Sequence, residues 1–163
     1  MNPVPYDRFA HTNPAFCALC LHWVASGYQG AAEGRIDAPR LLSPVWGIAA
    51  LALLAPRRVR ELLPRTAASH LTNLLQEHPE WRYALPDAMR ALALPFWDAV
   101  KLGVATGILQ LEGGRIMASG KTTLPSGPLE LDLRKRAIAL GKSFAKEGPD
   151  SAVALAMGLS VTS

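Results

Sequence analysis

The sequence predicts a mainly α, α+β fold: a helical domain in which one helix runs directly into a β-hairpin. Apolar residues at Ala88, Leu92, Phe96, Val100 and Val104 recur at spacings of four, near one stripe of a helix that continues to Gly107. Residues 108–117 then carry two short runs of alternating apolar side chains about Glu112-Gly113-Gly114, and Gly113 and Gly114 can take the positive φ that a tight hairpin loop requires. Elsewhere, cap residues followed by proline mark helix starts. A helix leading into a two-stranded flap describes a winged-helix-like module, a unit that reads nucleic acid or docks protein more often than it catalyses.

Along the chain, residues 1–11 contain Pro3 and Pro5 and no helical period, so they read as an extended arm. Helix one follows, with Thr12 or Asn13 as cap and Pro14 where its missing N–H costs nothing. Phe16, Leu19, Cys20, Trp23 and Val24 make it apolar nearly all round, which predicts burial, and Gly27 is expected to stop it. Residues 29–40 read as a loop, and a second apolar helix is expected from Ser43 and Pro44 to near Pro56. Arg57, Arg58 and Arg60 then form a basic turn before Leu63-Pro64, and a third helix is expected over residues 66–77, stopped by His78-Pro79. The helix before the hairpin is expected to begin near Pro86 and to break at Leu94, ahead of Pro95. The domain plan is therefore an arm (1–11), a helical winged-helix-like domain (12–119), a linker (120–130) and a C-terminal helical segment (131–163) on the same core. In that last segment Leu133, Ile138, Leu140 and Phe144 point inward, the basic face stays wet, and a short helix over 151–157 and an edge strand over 159–161 close the chain.

A chain of 163 residues buries one good core. Half of it is hydrophobic and only 18% is charged, more apolar than a free monomer usually needs, so covered partner surface is expected. The net charge of +4 permits contact with nucleic acid without demanding it. The first apolar run has no basic leader or cleavage site, and the most apolar stretch, 45–55, is far shorter than the roughly 20 residues of a membrane span. A cytoplasmic protein with no membrane partner and reduced cysteines is expected.

Cys17-Ala-Leu-Cys20 with His22 invites a zinc reading, but no second ligand pair at metal spacing accompanies it, and small buried thiols explain both cysteines better. Asp7, Asp37, Glu61, Asp87, Asp98 and Glu130 are scattered, no serine sits in a nucleophile elbow, and Gly120-Lys121-Thr122 is a phosphate-loop fragment without its first glycine. No catalytic residue, metal or cofactor is expected, and no enzyme. Arg57, Arg58, Arg60 and Arg65 cluster, and Arg115 stands at the hairpin beside Lys121; these can grip phosphates, or form a solvated rim of salt bridges, the reading that weighs slightly more. Phe96, Trp97, Val100 and Leu102 make a poor major-groove face, so any duplex contact would be non-specific. Trp23, Tyr28, Trp46 and Trp97 are candidate partner anchors wherever the fold exposes them.

Asn13-Pro14-Ala15 opening an apolar helix, Gly27-Tyr28-Gln29, Leu41-Leu42-Ser43-Pro44, the run Arg57 to Arg60 before Leu63-Pro64, and His78-Pro79-Glu80 ahead of a helix and hairpin come in a recognisable order. Over residues 12–119 the chain resembles the middle components of bacterial three-component ABC-ATPase systems. The resemblance implies a small non-enzymatic adaptor between an ABC ATPase of the chromosome-maintenance type and an effector, in anti-phage or anti-plasmid defence. It brings no catalytic residues; Asn13, Pro14, Gly27 and Tyr28 read as cap, first-turn proline, helix stop and packing aromatic. The alternative is a winged-helix DNA-binding transcriptional regulator, and in either case a homodimer would hide apolar surface.

Overall fold

The computed structural model describes residues 13–36, 39–66, 71–120, 128–147 and 150. In chain order its elements are helices α1 (Pro14–Ala32), α2 (Pro44–Leu54), α3 (Arg57–Leu62), α4 (Leu71–Glu77) and α5 (Pro79–Thr106), strands β1 (Leu109–Glu112) and β2 (Arg115–Ala118), and helix α6 (Pro128–Glu147). The expected arm, residues 121–127 of the expected linker, and the closing helix and strand lie outside the described residues. So do residues 67–70 of the expected third helix.

Helix α1 is the centre of the core. Asn13 caps it as the sequence predicts, its Oδ1 accepting from the backbone N–H of Ala15 at 3.0 Å and Phe16 at 3.3 Å. Cys17, Leu21, Val24, Ala25 and Tyr28 are buried, and α2, α5, α6 and the hairpin surround it. Gly27 does not stop this helix, which runs on to Ala32. Its role is steric: a Cβ there would overlap the backbone carbonyl of Ile138 on α6. On the facing helix, a Cβ at Gly141 would overlap the carbonyl of Val24. The two glycines thus let the α1 and α6 backbones touch, and helix propensity in α1 proceeds across Gly27 because packing outweighs its cost of about 1 kcal/mol.

Helix α2 has the expected proline at its first turn, although the Ser43 side chain makes no cap hydrogen bond. It is buried nearly all round, through Trp46, Ala49, Ala50, Leu51, Leu53 and Leu54. The arginine run is a short helix, α3, rather than a turn. Helix α5 departs most from expectation: it is one helix of 28 residues passing through both Pro86 and Pro95. Each proline removes a hydrogen bond to the carbonyl four residues back, on Arg82 and Ala91, and both of those residues are exposed, where water can serve. The buried stripe Trp81, Leu85, Leu92, Phe96, Val100 and Gly103 continues across both prolines and holds the helix together. Val104 falls off that stripe because steps of four drift by about 40° each on a helix of 100° per residue, and Gly103 takes the inward place.

The helix ends at Gly107, with φ +81°, and Ile108 N–H returns to the Gly103 carbonyl at 3.0 Å. The hairpin is antiparallel, Leu109 opposite Ala118 and Glu112 opposite Arg115, turning through Gly113 (φ +58°) and Gly114 (φ +75°). Leu42 adds an antiparallel bridge to Ile116, exchanging backbone bonds of 3.3 and 2.8 Å. Helix α6 begins at Pro128, inside the stretch expected to be linker, and packs Ala137, Leu140, Phe144 and Ala145 into the same core.

Candidate interaction surface

The cations singled out in the sequence are mostly engaged by the protein itself. Arg57 pairs with Glu61 one turn along α3 at 2.8 Å, and that bond, ahead of the small opposing effect of burial, holds the Glu61 carboxyl below its usual range. Arg60 donates to the carbonyls of Leu54 (2.9 Å) and Ala55 (3.3 Å), closing the C-terminus of α2. Arg65 meets Asp132 of α6 at 2.6 Å. Arg115 reaches Asp150 at 2.7 Å and the Leu41 carbonyl at 3.1 Å. Arg58 is exposed on α3, and Lys121 lies outside the described residues.

Arg136 departs from the expectation that the basic face of α6 stays wet. Its side chain is buried, donates to Asp132 at 2.8 Å, and gathers the carbonyls of Arg60 (3.0 Å), Glu61 (2.9 Å) and Leu63 at the end of α3. Partial burial pushes the Asp132 carboxyl up, but the hydrogen bond from Arg136 and the charges of Arg136 and Arg65 outweigh it and hold the group below its usual value. The Asp132–Arg136 spacing of four was legible as a helix pair; the three carbonyls, more than seventy positions away, were not.

A second polar knot locks the hairpin. Asp150 accepts from Trp46 Nε1 at 2.9 Å as well as from Arg115. Gln29 Oε1 accepts from Ala118 N–H at 2.6 Å, and His22 Nδ1 lies 2.9 Å from the Ile108 carbonyl. Asp150 carries no local signal of this role, since its partners come from two distant elements. Next to the Gln29 side, Gln29, Glu33, Gly34, Arg40 and Leu41 line a cleft of about 360 Å³.

Three of the four aromatic anchor candidates prove to be core: Trp23, Tyr28 and Trp46 are buried, because α1 is central and α2 lies against it. Burial first, then the charge of Asp150, pushes the Tyr28 hydroxyl up to about 12 against the pull of Arg115 and Arg35, so it stays protonated at neutral pH. Trp97 alone of the four presents surface, with its ring edge-on to the buried Phe96 at 4.9 Å. It belongs to a row of exposed apolar side chains on α5 that includes Tyr83, Leu94 and Val104. Leu62 on α3, Leu111 on β1 and Leu131 on α6 are exposed on other elements.

Neither cysteine is in a disulfide and both lie buried in the core, where burial raises Cys17 to about 11 and Cys20 further, so neither is a thiolate at neutral pH. No cluster of three or more His, Cys, Asp or Glu side chains suited to a metal occurs among the described residues. Among the same residues, no helix is long and apolar enough to cross a membrane.

Fold and surface together define a mostly helical α+β module whose arginines brace its own helices and whose longest described helix leaves apolar side chains uncovered. The chain belongs to the family of the ABC-three component (ABC-3C) system Middle Component 3, whose sequence profile matches residues 8–161. That match takes in α6 as well as the helices and hairpin over which the resemblance was read, and it makes the chain a component of a multi-component system with partners inside it. No curated protein and no solved structure matches the chain.

Proposed function

We propose that this chain is the adaptor of its three-component system: a cytoplasmic, non-enzymatic subunit that holds an ABC ATPase of the chromosome-maintenance type against an effector, in defence against phage or plasmid DNA. The observation that carries this reading, beside the family, is the distribution of uncovered apolar side chains over elements other than α5: Leu62 on α3, Leu111 on the hairpin and Leu131 on α6. An adaptor needs more than one sticky face, and exposed apolar rows are what protein partners cover. The engagement of Arg57, Arg60, Arg65 and Arg115 with carboxylates and carbonyls favours protein docking over phosphate binding as the main use of the surface. The helix-to-hairpin order and the Leu42–Ile116 bridge support the winged-helix-like description of the module.

Co-expression with the products of adjacent genes tests the adaptor. A ternary complex is expected that falls apart into its other two components when this chain is omitted. An ATPase–effector complex that forms equally well without it would overturn the reading, as would turnover of a substrate by the isolated chain that is lost on replacing one polar side chain.

A further inference from the structure

Helix α5 buries Trp81, Leu85, Leu92, Phe96, Val100 and Gly103 on one side. On the opposite side, positions 83, 87, 90, 94, 97, 101 and 104 follow spacings of three and four, the pattern of a helix seam. Tyr83 is 86% exposed, Leu94 79%, Val104 46% and Trp97 41%. Between these apolar side chains stand charges in a particular order. Asp87 and Arg90 precede Leu94, ion-paired to each other at 2.8 Å, and Asp98 and Lys101 follow it, all four exposed.

We propose that this outer face of α5 binds a second copy of the chain, with the two α5 helices antiparallel about a two-fold axis at Leu94. In that register residue 94 − n of one copy comes level with residue 94 + n of the other. Asp87 is then level with Lys101 of the second copy, and Arg90 with Asp98 of the second copy, so each of these four charges meets its opposite and each pairing occurs twice by symmetry. A parallel pairing in register would set each charge against its own kind. The bulky side chains find room by the same rule: Trp97 comes level with Ala91, Val104 with Ala84 and Tyr83 with Ala105, three alanines that the fold leaves exposed. The Arg90 guanidinium next to Ala91 can lie on the Trp97 indole. Exposed ion pairs contribute little on their own, so here they set direction and register, while the apolar row supplies the attraction. An isologous contact of this kind closes on itself and gives a dimer instead of a filament.

The test uses the full chain, purified alone. Light scattering and sedimentation equilibrium are expected to show a monomer–dimer equilibrium, and Leu94→Asp to weaken it by about tenfold or more with an unchanged circular dichroism spectrum, since Leu94 takes no part in the core. Lys101→Asp is expected to weaken the dimer, and adding Asp87→Lys to restore it. Leu94→Cys is expected to give a covalent dimer under mild oxidation, because the two-fold axis brings the two position-94 side chains together while Cys17 and Cys20 stay buried. A chain that remains monomeric throughout, a dimer indifferent to Leu94→Asp, or failure of the charge exchange to restore it would each overturn the proposal. So would a monomer that captures the system's ATPase only when Leu94 is intact, which would assign this face to the ATPase instead. The dimer is read on the isolated chain, so its failure and the failure of the adaptor reading are separate results.

Discussion

The seam between α1 and α6 and the outer face of α5 are both helix surfaces rich in small and apolar residues, yet they behave as opposites. At the seam, Gly27 and Gly141 let two backbones approach until a single methyl group would not fit, and Arg136 ties the neighbouring end of α3 to α6 through three carbonyls. On α5, alanines and large apolar side chains alternate with charges and stay exposed. Small residues next to a buried carbonyl mark completed packing, whereas small residues beside exposed bulky ones leave sockets. Composition alone does not separate the two cases; the environment of each Cβ does.

This contrast implies a steep gradient in tolerance to substitution. Gly141→Leu, or Gly27→Leu, forces the α1 and α6 backbones apart and is expected to cost about 3 kcal/mol or more, enough to prevent folding or to lower the thermal midpoint severely. Even alanine at either position is expected to destabilise, although alanine is the better helix former by about 1 kcal/mol. A stabilised Gly27→Ala protein in thermal melts would show that the seam is looser than described.

Next comes Arg136→Ala, which strands Asp132 and the carbonyls at the end of α3. About 3 kcal/mol is expected to be lost in urea unfolding, and Arg136→Lys should recover only part, since one ammonium group cannot span the same carbonyls. Asp132→Asn is a milder version, costing about 1 kcal/mol at neutral pH because the site is partly open to solvent. Its effect carries a pH signature. The folded carboxyl titrates below its ordinary 3.8, so its contribution is present above that value and disappears as pH falls through the folded value. Wild type and Asp132→Asn are therefore expected to converge in stability in that acid range, and a gap that stays constant down to pH 2 would remove the carboxylate from the account.

On the outer face the expectation is near silence. Tyr83→Ser and Leu94→Ser, compared with wild type by chemical denaturation at high dilution, are expected to move stability by no more than about 0.5 kcal/mol. A large loss there would mean that α5 is covered within its own chain and that the two regions are alike after all.

Much of the local structure was readable before any coordinates. The Asn13-Pro14 start, the Pro44 start, the Gly107 stop and the Gly113-Gly114 hairpin are written in residues whose backbone preferences act over one to four positions. The all-round apolar character of α1 correctly placed it in the middle. The same local logic failed where distant packing overrode preference. Proline rules broke α5 at Leu94, but its continuous buried stripe carries it through Pro86 and Pro95. Gly27, which local preference marks as a helix stop, is an approach point for a helix more than a hundred positions away. Of the candidate surface, the arginines and Trp97 were visible as residue types, while the carbonyls that Arg60 and Arg136 hold, and the Asp150 that links Trp46 to Arg115, were not.

The α+β class, the order of helix and then hairpin, the hairpin turn, and enough of a motif pattern to place the chain among the middle components all follow from the primary structure. Each of these depends on short-range steric and hydrogen-bonding preferences. Which glycines separate helices and which let them touch, which arginines brace the protein, and which aromatic faces outward emerge from packing in three dimensions. Those outcomes depend on what lies across the core from each side chain, and a one-dimensional pattern does not carry that distance.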